Sequence, residues 1–491
     1  MVRVRIAPSP TGLFHIGTAR TALFNYLFAK QHKGGVFIYR VEDTDKERST
    51  KAFEENITRG LLMLGMMPDE GVDVGGDYGP YRQSERTDLY KKYLKELVDG
   101  DYAYYCFCSK ERLDKMREEQ TAKKLPPRYD GACSKLDPAE SRKRVEKGES
   151  AVIRLRVPLN EDIKFTDLIR GEAVFGSKEF DDFVIAKNLE EPLYNFTVVI
   201  DDHTMKITHV IRGEDHLSNT PKQILQYKAF GWPVPEFAHL PMILNEDRTK
   251  ISKRKNKVSV DDYIAEGYLP EAIVNFLALL GWTSPKGQDI LSMKEMIEQF
   301  DLMKVHKGGA VFDIKKLDWV NGEYIKKMIS DDVDVFFERI KPNLEGKLPL
   351  KDPKFIKALL SDPDFSGRFK KLSEIPDALN IFFADLPDYP KELILLEKFN
   401  ITPEILKKVL DKTKAVLSKM KWTKGDSKKA AELSDKMMGI VTELGLKNGQ
   451  VLWPIRVALS GLEKSPNFST LMVYLGKDEV LKRLDLALKK I

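Results

Sequence analysis

Two periodicities share residues 1–41. Val2 to Ala7 alternates apolar and basic side chains, the period-2 signature of a strand. Pro8, Pro10 and Gly12 end it. From Thr18 to Lys33 the apolar residues Ala19, Ala22, Leu23, Tyr26 and Leu27 fall on one helical face, and Gly34-Gly35 stops the run. Val36 to Val41 is apolar again. The order predicts a βαβ unit with parallel pairing and a right-handed crossover. Ala151 to Val157 and Thr208 to Ile211 read as further strands. Pro270 to Trp282 reads as a helix, with Ala272, Ile273, Phe276, Leu277 and Leu280 on one face. In the last third, strand alternation disappears. Pro403 to Met420 places Leu406, Val409, Leu410, Thr413, Val416, Leu417 and Met420 at helical spacing. The pattern predicts an α/β N-terminal half, a Rossmann-like doubly wound parallel sheet with an α+β insertion, then an all-α C-terminal region.

Composition narrows this. At 491 residues the chain holds several domains, about three to five at ~100–200 residues each. No long apolar run reaches the ~18 residues of a membrane span, and Met1-Val2-Arg3 leads straight into the first strand. A cytoplasmic protein with no signal peptide is expected. Net charge is only +5, so any nucleic-acid surface is local. The 406–424 stretch, where Lys407, Lys408, Lys412, Lys414, Lys419, Lys421 and Lys424 stand against Asp411 alone, reads either as a solvated face or as such a surface.

Two segments carry the chemistry. The turn Pro8-Ser9-Pro10-Thr11-Gly12-Leu13-Phe14-His15-Ile16-Gly17-Thr18 sits where strand passes into helix. Backbone N–H groups bind anions there, Gly17 permits close approach, and His15 can donate to a phosphate oxygen. The second, Lys250-Ile251-Ser252-Lys253-Arg254, opens a run with five basic residues in eight. Taken alone, such a run is most often a solvated loop. Paired with the first it reads as a two-part clamp for a nucleoside triphosphate, with ammonium groups for a leaving pyrophosphate. Neither a P-loop nor a Gly-x-Gly-x-x-Gly motif accompanies it.

The order and separation of the two segments resemble the paired signatures of class I aminoacyl-tRNA synthetases, His-Ile-Gly-His and Lys-Met-Ser-Lys-Ser. This chain departs at Thr18, Ile251 and Arg254. Arg5–Gly12, Arg40-Val41-Glu42-Asp43-Thr44-Asp45, Gly79–Arg86, Val199–His203, Val210–Asp215 and Leu317–Gly322 narrow the resemblance to bacterial-type glutamyl-tRNA synthetases, across nearly the whole chain. That resemblance implies ATP-dependent attachment of L-glutamate to tRNA-Glu through a glutamyl-adenylate. The glutamate α-carboxylate attacks the ATP α-phosphorus, and the 2′-hydroxyl of the terminal adenosine then attacks the activated carbonyl. Positioning and charge neutralisation carry both steps, with Mg²⁺ on the phosphates. It implies catalytic roles for His15, Gly17, Lys250 and Lys253, and ATP contacts at His15, Gly17, Thr18, Leu244 and Lys253. A substrate with two carboxylates and one ammonium needs two cations and one anion. Arg5 and Arg212 are the natural pair for the carboxylates and Glu42 for the ammonium. By the same resemblance Ser9, Tyr194, Ala7 and Val198 join the glutamate pocket. Many members have Asn at the last position, so Val198 removes one polar contact.

Cys106, Cys108 and Cys133 fall within 28 residues, a spacing that suits thiolate ligands. Zinc-bearing glutamyl-tRNA synthetases look similar here, with a fourth ligand two residues after the last Cys. That place holds Lys135, a poor ligand while protonated, so Tyr129 is the better candidate for a structural Zn²⁺ site. The resemblance divides the chain into residues 1–105 and 191–245 as two catalytic halves, 106–190 as an acceptor-end insertion, 246–325 as the Lys-rich loop with a stem-contact domain, and 326–491 as an anticodon-binding region with an internal boundary near 380–400. It also suggests Arg368 as an anticodon contact. Glutaminyl-tRNA synthetases end in β-barrels, whose strand signals are missing here. A monomer is expected. The alternatives left open are charging of tRNA-Gln as well as tRNA-Glu, and an inactive tRNA-binding relative.

Overall fold

The computed structural model describes every residue except 159–160, 177–178, 252–257, 349, 351 and 491. Contacts divide it into two units, Met1–Tyr263 with Ile273–Ile314, and Ile264–Ala272 with Lys315–Ile491.

In the first unit, strand β1 (Arg3–Ile6), helix α1 (Ile16–Gln31) and strand β2 (Val36–Tyr39) form the expected βαβ unit, with β1 and β2 parallel from Arg3↔Val36 to Ile6↔Tyr39. The short β3 (Glu70–Gly71) extends it in parallel. The helix begins at Ile16, two residues before the apolar periodicity predicts. His15 is the reason, because its side chain caps the first turn. The alternation in β1 also has another meaning than a half-exposed strand. All four residues are buried, and Arg3 and Arg5 face carboxylates instead of water.

The inserted segment forms an antiparallel sheet from β4 (Ala103–Cys106), β5 (Val152–Leu155) and β8 (Val184–Ala186). Between β5 and β8 lies a hairpin, β6 (Ile163–Asp167) and β7 (Gly171–Phe175). Helix α2 (Tyr194–Thr204), strand β9 (His209–Gly213), helix α3 (Thr220–Ala229) and strand β10 (Glu236–Leu240) follow, with β9 and β10 parallel. The hairpin joins this second half, since Asp167 of β6 pairs with Phe237 of β10. The two halves meet at Thr208, whose N–H donates to the Arg3 carbonyl at 2.9 Å.

The described residues of the second unit contain helices and turns and no strand. Helix Pro403–Ser418 is capped by Thr402, whose hydroxyl accepts the Ile405 N–H, and it buries Leu406, Val409, Leu410, Thr413 and Leu417. Helices Asn448–Ser460 and Lys477–Leu488 pack against it. Among the described residues, no helix is long and apolar enough to cross a membrane.

Candidate active site

The chain leaves β1 at Ile6, turns through Pro8–Phe14 and enters α1. His15 Nδ1 accepts the Gly17 N–H at 2.9 Å, which assigns the ring proton to Nε2. A Cβ at Gly17 would sit 3.2 Å from Nδ1, so a larger residue would press on the imidazole that caps the helix. A cavity of about 590 Å³ opens beside this turn. His15, Gly17, Thr18 and Lys250 line one part of it. Arg5, Ala7, Ser9, Glu42, Tyr194 and Arg212 line the rest. Residues proposed for ATP and for glutamate therefore share one space.

Ser252, Lys253 and Arg254 lie outside the described residues. The chain on either side is anchored by backbone hydrogen bonds. Ile251 N–H donates to Ile243 C=O at 3.1 Å, while Val258 C=O accepts the Ile16 N–H at 2.9 Å. Val260 N–H donates to Phe14 C=O at 3.0 Å. So the sequence on both sides of Lys253 is held beside the cavity. Lys250 Nζ stands 3.9 Å from Asp215 Oδ2, a solvent-exposed pair worth little. Leu244 is off the cavity wall, on the short strand Ile243–Leu244, where it bridges Lys250. Val198 is also off the wall. It is buried in a cluster with Val199 and Tyr227, against which Tyr194 packs.

Behind the cavity lies a buried ion network. Asp202 accepts from Arg5 Nε at 3.0 Å and Arg40 Nη1 at 2.7 Å. Burial works against its ionisation, but Arg5 and Arg40 more than offset this, and the carboxyl is held below the usual range. Asp201 accepts from Arg86 Nε at 2.7 Å, Gln83 Nε2 at 2.8 Å and Tyr90 Oη at 2.9 Å. Glu42 accepts from Arg40 Nη2 at 3.0 Å, and burial pushes its carboxyl up. Asp201 and Asp202 had no assigned role in the sequence. The signals were their place in the Val199–His203 block and two carboxylates ending an apolar run.

Arg212 differs from Arg5. Its Nε donates to His239 Nε2 at 3.2 Å and its Nη2 to Thr220 Oγ1 at 2.8 Å. Nη1 is buried without a hydrogen-bond partner, and no carboxylate among the described residues lies within ion-pair distance. Burial lowers its affinity for the proton. Tyr194 Oη lies 3.0 Å from His216 Nδ1, and burial, then Arg212, lowers the His216 ring to about 4, so the ring is neutral. Arg20 is a further cation on the wall, one that the sequence did not flag, and it too has no carboxylate partner among the described residues. It donates to the carbonyls of Leu280 and Pro241, and burial lowers it to about 10.

In the insertion, the sulfur atoms of Cys106, Cys108 and Cys133 lie within 4.8 Å of one another. Tyr129 Oη is 3.3 Å from Cys106 Sγ and 3.5 Å from Cys108 Sγ, and it accepts the Cys133 N–H at 3.0 Å. Tetrahedral zinc with sulfur at about 2.3 Å spaces its ligands about 3.8 Å apart. The three thiols and the phenol fit that spacing. Lys135 is exposed. In the helical unit, Lys412 and Lys414 of the basic stretch are paired with Glu443 and Asp485. Lys407 and Lys408 are exposed and have no ion-pair partner among the described residues.

A parallel sheet split by an insertion, a His-Ile-Gly turn at a helix start and a distant Lys-rich segment whose described flanks, Ile251 and Val258, are anchored beside it define a class I synthetase catalytic domain. Residues 1–319 match the family described as tRNA synthetases class I (E and Q), catalytic domain, and residues 335–488 match an anticodon binding domain. The chain is 44% identical to Glutamate--tRNA ligase 1 of Syntrophomonas wolfei, over 99% of this chain and 96% of that one. It is also 44% identical to Glutamate--tRNA ligase of Bacillus subtilis, over 98% and 99%. A glutamate tRNA ligase from Elizabethkingia meningosepticum, solved in complex with its amino acid, superposes with a TM-score of 0.84 at 36% identity, covering 99% of each chain. The chain belongs to the bacterial glutamate–tRNA ligases.

Proposed function

We propose that this cavity activates L-glutamate with ATP and transfers it to the 3′ end of tRNA-Glu, releasing AMP and pyrophosphate. The observation that carries the amino-acid choice is the unmatched guanidinium of Arg212. A buried cation without a counter-ion favours a ligand that brings a carboxylate, and disfavours an isosteric amide. Arg212 then takes the side-chain carboxylate of glutamate. Arg5, already shared with Asp202, faces the α-carboxylate, and Glu42 the ammonium. His15, Gly17 and Thr18 hold the triphosphate at the start of α1, where Nε2–H of His15 is the donor. Lys250 and Lys253 neutralise the leaving pyrophosphate. Magnesium enters with ATP as part of the substrate and neutralises phosphate charge.

Cys106, Cys108, Cys133 and Tyr129 would hold a structural zinc that stiffens the insertion. The exposed lysines of helix Pro403–Ser418 and Arg368 face tRNA. The enzyme works in the cytoplasm as a monomer. Pyrophosphate exchange requiring ATP, glutamate and tRNA tests the reading, and a well-folded protein without it would overturn it. Aminoacylation of purified tRNA-Glu and tRNA-Gln side by side decides whether one or both are charged. Metal analysis of protein purified without added zinc tests the cysteine site.

A further inference from the structure

We propose that His239, clamped by Asp167, is the positioning residue that aims Arg212 at the substrate's side-chain carboxylate without neutralising it. The inference rests on the glutamate reading above and deepens it.

His239 and Arg212 are register partners on β10 and β9, which puts their side chains on one face of the sheet. Both His239 and Asp167 are fully buried. Asp167 Oδ2 is 2.6 Å from His239 Nδ1 and accepts the His239 N–H at 3.0 Å. A carboxylate on Nδ1 fixes the proton there and leaves Nε2 as an acceptor. That acceptor receives Arg212 Nε–H. Burial and the neighbouring Arg212 charge lower the ring's proton affinity although Asp167 opposes them, so the ring stays neutral. Thr220 Oγ1 takes Nη2 and lies 3.0 Å from His239 Nε2. With Nε and Nη2 fixed, the rigid guanidinium plane has one orientation, and Nη1 remains unpartnered.

The choice of an imidazole is informative. Asp167 next to Arg212 would form an ion pair and cancel the charge the pocket needs. Asp167 is kept away because its Oδ1 accepts the N–H groups of Ile169 and Arg170 in the hairpin turn, at 3.0 and 2.8 Å. The neutral ring passes on direction and not charge. It also makes the hairpin of the inserted segment part of the apparatus that sets amino-acid choice.

The test compares wild type with His239→Leu, His239→Gln and Asp167→Asn in pyrophosphate exchange with tRNA present. Thermal melts confirm folding. In His239→Leu, glutamate KM rises about tenfold or more, equivalent to about 1.4 kcal/mol, while ATP KM stays within about twofold. The preference for glutamate over glutamine shrinks by a similar factor. Gln at 239 supplies an acceptor near the Nε2 position and restores most of the loss. Asp167→Asn falls between. A folded His239→Leu with unchanged glutamate KM overturns the proposal. So does a parallel rise in glutamate and ATP KM with selectivity intact, the mark of a structural role. If the leucine variant does not fold, unchanged selectivity in Asp167→Asn overturns it. Failure of wild type itself to activate glutamate would refute the functional reading instead.

Discussion

Replacing Arg212 with methionine separates stability from function. The substitution removes two hydrogen bonds, to His239 and Thr220, each worth about 1 kcal/mol net. It also removes a buried cation with no carboxylate partner among the described residues, which relieves desolvation. Thr220 and His239 stay within 3.0 Å and can bond each other. Methionine fills most of the space with a flexible apolar chain. Stability therefore changes by no more than about 1–2 kcal/mol, in either direction. Glutamate affinity behaves differently. Truncating one partner of a buried charge pair costs about 2–5 kcal/mol, or roughly 30- to 5,000-fold in glutamate KM. Urea denaturation gives the first quantity and tRNA-dependent pyrophosphate exchange the second. A loss of more than about 3 kcal/mol of stability, with glutamate KM within about twofold of wild type, would falsify this assignment of Arg212.

Asp202→Asn should do the reverse, leaving Arg5 and Arg40 short of a counter-charge at a cost of about 3–5 kcal/mol in urea melts. Asp202 and Asp167 both hold their carboxyls below the unfolded range, so their stabilisation is full above about pH 4 and is lost as pH falls through the folded values. Asp202→Asn should flatten that acid limb in circular dichroism; an unchanged slope would show that other groups set it. Gly17→Ala brings a methyl 3.2 Å from His15 Nδ1, and should lower kcat for adenylate formation about tenfold or more while glutamate KM holds. Equal losses in both would place His15 in amino-acid binding. Lys407→Ala with Lys408→Ala should weaken tRNA binding and reduce the salt slope by about 2, whereas Lys412→Ala, which loses only a Glu443 pair, should not. Identical salt slopes would remove that helix from the tRNA surface.

The βαβ start and the helical last third were legible because each rests on local periodicity. Boundaries shifted where a side chain intervened, as at His15, whose ring starts the helix two residues early. The cavity brought together most of the residues the family resemblance had named, yet charge partners were invisible. Arg5 and Arg212 looked equivalent in the sequence. One meets Asp202 across 197 residues and the other meets no acid among the described residues, a distinction that only folding creates. Val198 and Leu244 were named by position alone, and their side chains follow the burial of their own elements. His239 and Asp167 carried no motif, since a positioning pair is defined by register and not by spacing.

The seam between Arg3 and Thr208, and the Arg5–Asp202 pair beside it, also set a clock for synthesis. Chains emerge from the ribosome at about 5–20 residues per second, so Arg5 waits about 10–40 s for its partner. During that time β1 and β2 can pair and Arg3 can meet Glu70, but Arg5 lacks Asp202 and the sheet its second half. The nascent N-terminal segment is a half-covered sheet in which Arg5 still lacks its acid. Its first protection is delayed until the whole insertion has been made.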